Sequence, residues 1–165
     1  MKTLYLIRHA KSSWKHPVLR DDERPLNKRG KQNAPEMGKS LKKKGVAPAL
    51  LVSSHARRAL DTARLVAEEL GYAKKQIMVD ERLYHASIAD FMEVIEEQDN
   101  KADALMLFGH NPGLTELANT FCSVYVDNIV TAGIYAIRFD TDLWAAVPNM
   151  QGEFLFYDYP KKKKD

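Results

Sequence analysis

Five residues of this 165-residue chain have the type and placement for phosphate chemistry: Arg8 and His9, Arg57 and Arg58, and His110. All five follow closely on an apolar run. Thr3-Leu4-Tyr5-Leu6-Ile7 empties into Arg8-His9-Ala10, Leu50-Leu51-Val52-Ser53 into Ser54-His55-Ala56-Arg57-Arg58-Ala59, and Ala104 to Phe108 into Gly109-His110-Asn111-Pro112-Gly113. A guanidinium offers a planar fork of donors that fits an oxyanion, and an imidazole beside it is a nucleophile or a proton carrier. Burying either group unpaired is costly. Arg8-His9 alone therefore fits either a solvated strand end or a phosphate site. A lone His110 is ordinarily structural, and an arginine in an early helical turn is commonly solvated. Repetition of the same placement at three exits favours the site.

The elements that must position these groups alternate between strand and helix patterns. After the first strand, Lys11 to Pro25 has no period and is dense in charge. A loop of that length in a compact domain is usually functional, and this one leaves the Arg8-His9 exit, so it is expected to wall the site. Asn27 reads as the N-cap of a helix over 28–44 with an apolar stripe of Ala34, Met37, Gly38 and Leu41, closed by Gly45 at C′. Pro35 inside that pattern predicts a kink or a late start. Ser54 reads as the N-cap of a helix to Leu70-Gly71, with Ala59, Thr62, Ala63, Val66 and Leu70 on one face. Arg57 and Arg58 then stand in its first turn, unfavourably to the helix dipole unless an anion binds there. A third strand is expected over 76–79, and a helix from Ser87 that buries Phe91, Val94 and Ile95. Asn111 as N-cap and Pro112 at N1 open a further helix through Phe121. Strands over 134–139 and 153–157 read as a hairpin around Trp144 and a Pro148-Asn149 turn. Trp144, Tyr135 and Tyr157 fit core packing better than a pocket edge. The class is α/β, a mostly parallel central sheet flanked by helices. In such sheets ligands bind outside the carboxyl ends of strands.

The chain is 45% hydrophobic and 28% charged, with a net charge of +3. That fits one domain over residues 1–160, too short for two comfortable ones. The single cysteine, Cys122, excludes an internal disulfide framework and a thiolate metal site. No acidic cluster has ligand spacing, so neither a metal nor another cofactor is expected. No run approaches a membrane span, and Met1-Lys2 followed by a short strand lacks a signal-peptide pattern, so a cytoplasmic location is expected. The tail over 161–165, with lysines at 161–164, is read as a disordered solubilising end. A nucleic-acid patch is the competing reading of that tail, and no aromatic interleaving supports it.

The motifs together resemble the histidine phosphatase superfamily, which includes the cofactor-dependent phosphoglycerate mutases. Arg8-His9-Ala10 is similar to its Arg-His-Gly opening, Ser54-x-x-x-Arg58-Ala59-x-x-Thr62-Ala63 to its second motif, and Gly109-His110-Asn111-Pro112-Gly113 to its third. The short chain, Arg24-Pro25-Leu26 before Arg29-Gly30, and Leu83-Tyr84 resemble the SixA-type phosphohistidine phosphatases more closely. The resemblance spans essentially the full length, in order. It implies a three-layer, phosphoglycerate mutase-like sandwich and a metal-free phosphatase. His9 would be the nucleophile that is transiently phosphorylated, Arg8 and Arg58 would grip the phosphoryl oxygens, and His110 would stabilise the developing charge. Thr131 and Ala132-Gly133 resemble the turn that closes the site in the family.

Departures shape the expected substrate. Lys15, behind Trp14, stands where the larger enzymes often carry an asparagine, and with Arg24 it is a further candidate for phosphate or substrate contact. The usual acidic proton donor is not evident. Asp21, Asp22, Glu81 and His85 are the candidates. A missing strong acid matters little for a phosphoramidate and more for an alkyl ester. The long insertions of mutase lids are also absent. The expected partner is thus a phosphorylated protein, with a small phosphorylated metabolite as the alternative and a silent phosphate-binding module as a third reading. Neither nucleic acid nor membrane is expected, and the oligomeric state is left open.

Overall fold

The computed structural model describes residues 1–46 and 49–161. Strand β1 (Lys2–Arg8), β2 (Ala49–Ser53), β3 (Ile77–Val79), β4 (Ala104–Gly109), β5 (Ile134–Phe139) and β6 (Glu153–Asp158) build one sheet in the order β3-β2-β4-β1-β5-β6. The pairs β3/β2, β2/β4 and β4/β1 are parallel, whereas β5 is antiparallel to both of its neighbours. The mostly parallel, helix-flanked class is therefore what the chain adopts.

Both faces of the sheet are covered, which is why β1 and β4 are continuously apolar rather than alternating. Leu4, Leu6, Leu105 and Leu107 point into one core, against Phe91, Val94 and Ile95 of α3 (Ile88–Glu96) and Leu114, Leu117 and Phe121 of α4 (Gly113–Phe121). Tyr5, Ile7, Met106 and Phe108 point into the other, against Ala34, Met37 and Leu41 of α1 (Lys28–Lys43) and Ala63, Val66 and Ala67 of α2 (Arg57–Leu70). Trp144 is fully buried in the first core and donates from its indole N–H to the Ala102 carbonyl, 2.9 Å away. It belongs to a 3₁₀ segment over Trp144–Asn149 that joins β5 to β6, so the expected hairpin forms across a longer connection than a turn.

Several local expectations are revised. Helix α1 starts at Lys28 with Asn27 Oδ1 accepting from the Gly30 N–H at 2.9 Å, so Pro35 sits inside it and the late start is not taken. Helix α2 starts at Arg57 with Ala56 as its cap, not Ser54, because the Ser54 hydroxyl lies on the strand side of the turn and is engaged elsewhere. Helix α4 starts at Gly113 with Pro112 at the cap. Asn111 contributes one step earlier, its Oδ1 accepting from the Thr115 N–H and hydroxyl. Of the basic tail only Lys161 is described, and the expectation of disorder for the rest lies outside the described residues. None of the described helices is long and apolar enough to cross a membrane.

The long loop after β1 is closed at its neck. Ser12 bridges Leu26, the Ser13 N–H donates to the Pro25 carbonyl at 2.8 Å, and the Asn27 N–H donates to the Lys11 carbonyl at 2.9 Å. Gly30, in the first turn of α1, lets the helix lie against that neck. A Cβ at this position would stand 2.2 Å from the Lys11 carbonyl oxygen, which is backbone and cannot swing away. Gly30→Ala is expected to destabilise the fold by about 1–3 kcal/mol, seen as a melting temperature lower by several degrees. Melting at the wild-type temperature would overturn this account of the neck.

Candidate active site

The register of the parallel strands assembles the site. Arg8 pairs with Gly109 across β1/β4, and Ser53 pairs with Phe108 across β2/β4. One residue further on, the pairing persists as the His9 N–H donates to the Gly109 carbonyl at 3.1 Å and the Ser54 N–H to the Phe108 carbonyl at 3.0 Å. His9, His110 and Ser54 consequently leave the sheet side by side. The His9 and His110 rings lie 5.1 Å apart between centroids. Arg8 and Arg58 flank them, and with His9 line a cleft of about 390 Å³ whose walls include Lys11, Ser12, Trp14, Arg24, Asn27 and Thr131. The Arg8 N–H and the turn at Ala132-Gly133 tie the third side, through hydrogen bonds of 3.1 Å from Arg8 to the Gly133 carbonyl and from Ala132 to the Arg8 carbonyl.

His9 carries a neutral ring with one nitrogen free to face the cleft. Its Nδ1 lies 2.7 Å from the Ala10 carbonyl, which can only accept, so the ring hydrogen is on Nδ1 and the lone pair on Nε2. Burial pushes the ring down to about 4, with the Arg58, Arg8 and Arg24 charges acting the same way against the Ala10 bond. His110 is pushed down to about 3, first by burial and then by His9, Arg58 and His85. Thr62 ties the turn after His9 to the second motif: its hydroxyl accepts from the Ala10 N–H at 2.9 Å and donates to the Arg58 carbonyl at 2.7 Å. Among the described residues, two site nitrogens are buried without a hydrogen-bond partner, Arg8 Nε and His110 Nδ1.

Of the arginine pair, Arg58 is 6% exposed and lines the cleft, while Arg57 is exposed and faces Asp61 at 3.6 Å. Arg58 donates from Nη1 to the Asp21 carbonyl oxygen at 2.7 Å and from Nη2 to Asp21 Oδ2 at 2.9 Å. Asp21 also accepts from Arg24 at 3.1 Å and from the Tyr84 hydroxyl at 2.6 Å. Burial alone would raise the Asp21 carboxyl, but the hydrogen bonds from Tyr84, Arg58 and Arg24 hold it well below the usual carboxylate range. Asp21 is thus held as a carboxylate by three donors, Arg58, Arg24 and Tyr84.

The other candidates are placed as follows. Asp22 lies 3.2 Å from His55 Nε2 and 3.4 Å from Arg20, turned toward a neighbouring surface cleft. Glu81 and His85 are exposed, and the His85 ring lies tilted against Tyr84, 4.0 Å between centroids. Lys15 is exposed and outside the cleft lining. Arg24 lines the cleft, but its donors are engaged within the loop, to the Ser13 carbonyl, Asp21 and the Ser12 hydroxyl, and its guanidinium lies 3.3 Å over the Trp14 ring. Lys11, Tyr84 and Ser54 were missed as site residues. For Ser54 the available signal was its position at the exit of β2, the same logic that selected the histidines.

Two strand exits thus bring arginines and the third a second neutral imidazole beside His9, an arrangement with the donors and the lone pair that suit an oxyanion. The chain belongs to the histidine phosphatase superfamily (branch 1), whose model matches residues 4–121. Its sequence is 30% identical over 126 residues to an uncharacterised chloroplast protein of Arabidopsis thaliana, covering 72% of this chain and 58% of that protein. It is 32% identical over 108 residues to a 2,3-bisphosphoglycerate-dependent phosphoglycerate mutase of Parvibaculum lavamentivorans, covering 64% and 49%. The chain thus spans about half the length of the curated relatives it matches. The fold is similar to that of the structure assigned as phosphohistidine phosphatase SixA from Agrobacterium tumefaciens, at TM-score 0.80 and 23% identity over 97% of this chain and 99% of that one. A protein histidine phosphatase SixA complexed with tungstate gives TM-score 0.80 at 18% identity, over 95% and 96%. The phosphoglycerate mutase-like sandwich implied by the motifs is the fold found.

The two depressed histidines couple stability to pH. Folded, both rings stay neutral down to about pH 4 and about pH 3, whereas unfolded they take a proton near 6.5. The unfolded chain therefore binds more protons below pH 6.5, and stability falls as pH falls. The melting temperature is expected to drop between pH 7 and pH 5, and His110→Gln to flatten that slope. A slope of equal steepness in His9→Asn and His110→Gln as in the wild type would sink the assignment.

Proposed function

We propose that the protein is a phosphatase that moves a phosphoryl group onto His9 and then to water, and that its substrate is a phosphohistidine in another protein. The observation that carries this reading is the neutral His9, its Nδ1 tied to Ala10 and its Nε2 free, beside two buried nitrogens that have no partner, Arg8 Nε and His110 Nδ1. A tetrahedral oxyanion at Nε2 supplies the acceptor that the buried Arg8 donor lacks.

In the first step the Nε2 lone pair attacks phosphorus, the bond from phosphorus to the leaving nitrogen or oxygen breaks, and that atom departs with its electron pair and takes up a proton. Water then attacks the phosphoryl group, the Nε2–phosphorus bond breaks, and inorganic phosphate leaves. Little covalent help is needed beyond positioning and charge stabilisation on the equatorial oxygens. Arg8 and Arg58 provide that charge. Two of the five guanidinium hydrogens of Arg58 are taken by Asp21, which leaves three for the phosphoryl oxygens.

The placement of the carboxylates supports the phosphoramidate substrate. Asp21 is held ionised, Asp22 is turned to His55, and Glu81 and His85 are exposed. An imidazole leaving group accepts a proton readily, whereas an alkoxide needs an acid at hand. The open cleft, with Trp14 78% exposed at its rim, suits a phosphorylated side chain presented by a protein surface.

Wild-type protein is expected to dephosphorylate a phosphohistidine protein and, more slowly, p-nitrophenyl phosphate. His9→Ala is expected to abolish turnover, and Arg58→Ala to lower it by about 10²–10³-fold. Turnover by the wild type no faster than by His9→Ala would leave a phosphate-binding module. Turnover confined to small phosphoesters would reassign the substrate to a metabolite.

A further inference from the structure

We propose that Ser54 is the positioning residue that sets the proton on His110: its hydroxyl donates to Nε2 and so keeps the ring hydrogen on Nδ1, the nitrogen left to meet the phosphoryl group. The role in turnover rests on the phosphatase reading, whereas the tautomer itself does not.

Ser54 is fully buried, and its Oγ lies 2.9 Å from His110 Nε2. The same oxygen accepts the Ala56 N–H at 3.1 Å. A hydroxyl has one hydrogen to give, and among the described residues His110 Nε2 is the one acceptor recorded for this one. If the bond ran the other way, from Nε2–H to Oγ, the serine hydrogen would have no acceptor and the buried Nδ1 would be a lone pair with no donor. Two buried groups would then stand unpaired. With the hydrogen on Nδ1 only that N–H is unpaired, and a phosphoryl oxygen pairs it. Burial and the surrounding cations keep the ring neutral, so it carries a single hydrogen and the choice between the nitrogens is real.

The serine is itself held. Its N–H donates to the Phe108 carbonyl at 3.0 Å, and its carbonyl accepts from the Ser53 hydroxyl at 2.9 Å. The plane of the imidazole is bounded by His9 at 5.1 Å and by the edge-on ring of Tyr84 at 5.4 Å. With the serine held and the ring packed between these neighbours, the pairing that leaves fewest buried groups unpaired is the one with the hydrogen on Nδ1. This gives Ser54 a purpose that helix capping does not, since Ala56 caps α2.

Long-range ¹H–¹⁵N correlation spectra of the uniformly labelled protein near neutral pH read the tautomer directly, with His110 assigned by its loss in His110→Gln. The expected result is a protonated Nδ1 and an unprotonated Nε2, and the opposite pattern in the wild type overturns the proposal whatever the variants do. In Ser54→Ala the Nδ1-protonated fraction should fall, with kcat lower by about tenfold and KM little changed, short of the roughly 10²–10³-fold for outright loss of a donor. Ser54→Thr, which keeps the hydroxyl, should restore both readouts. Ser54→Ala with the wild-type tautomer and the wild-type kcat would also overturn it. A protonated Nδ1 in a protein that turns over no phosphorylated substrate would support the tautomer assignment while sinking the phosphatase reading.

Discussion

In-register parallel pairing of β1, β4 and β2 is the constraint on which everything at the site depends. Parallel strands share a direction, so their carboxyl ends fall on one edge, and the pairs Arg8 with Gly109 and Ser53 with Phe108 decide what meets there. A slip of one residue would turn every side chain of a strand to the opposite core. Because both cores are apolar and tightly filled, such a slip would bury nothing useful and expose much. The geometry of His9 and His110 is therefore held by Leu4, Leu6, Ile7, Leu105, Met106 and Leu107, none of which touches the chemistry.

The second constraint is electrostatic. Arg8, Arg24 and Arg58 crowd a site whose fixed counter-charge is Asp21. That excess of positive charge and the burial of both rings act in the same direction on the histidines, holding them neutral. A neutral His9 keeps the lone pair that the proposed attack requires, and the cations that keep it neutral are also the groups an oxyanion needs. Asp21 limits the repulsion between Arg24 and Arg58 while leaving the guanidinium of Arg58 with free hydrogens. One carboxylate thus balances the cluster of arginines while leaving donors of Arg58 free.

Much of this was legible in the chain because strand exits and cation placement are local properties. Arg8, His9, Arg58 and His110 could be picked out from residue type and position, and the structure brings those four together. The choice of Arg58 over Arg57 matches their burial. Less legible was whatever depends on a partner distant in sequence. Ser54 read as a helix cap because serine before a helix usually is one, and its bond to His110, fifty-six positions away, leaves no local trace. Asp21 read as a possible acid because a carboxylate near a site invites that reading. Only the convergence of Arg24, Arg58 and Tyr84 on it makes it a counter-ion. Arg24 was selected for its charge, yet three hydrogen bonds and the Trp14 ring commit it to shaping the loop.

On the proposed phosphatase reading, that loop is the seat of substrate choice. The strands and the two histidines provide a phosphoryl site that is indifferent to what the phosphate is attached to. Discrimination comes from the wall between Lys11 and Asn27, whose neck is pinned to α1 and whose interior is braced by Arg24. Trp14 is fixed on one face by Arg24 and open to solvent on the other, so the rim offers a rigid apolar platform beside the cleft. A leaving group that departs without strong acid, and that is flat enough to lie on an indole, satisfies both the electrostatics of the interior and the shape of the rim. An imidazole, the leaving group of the proposed substrate, does so, since it departs on taking up a proton and its flat ring can lie against the indole.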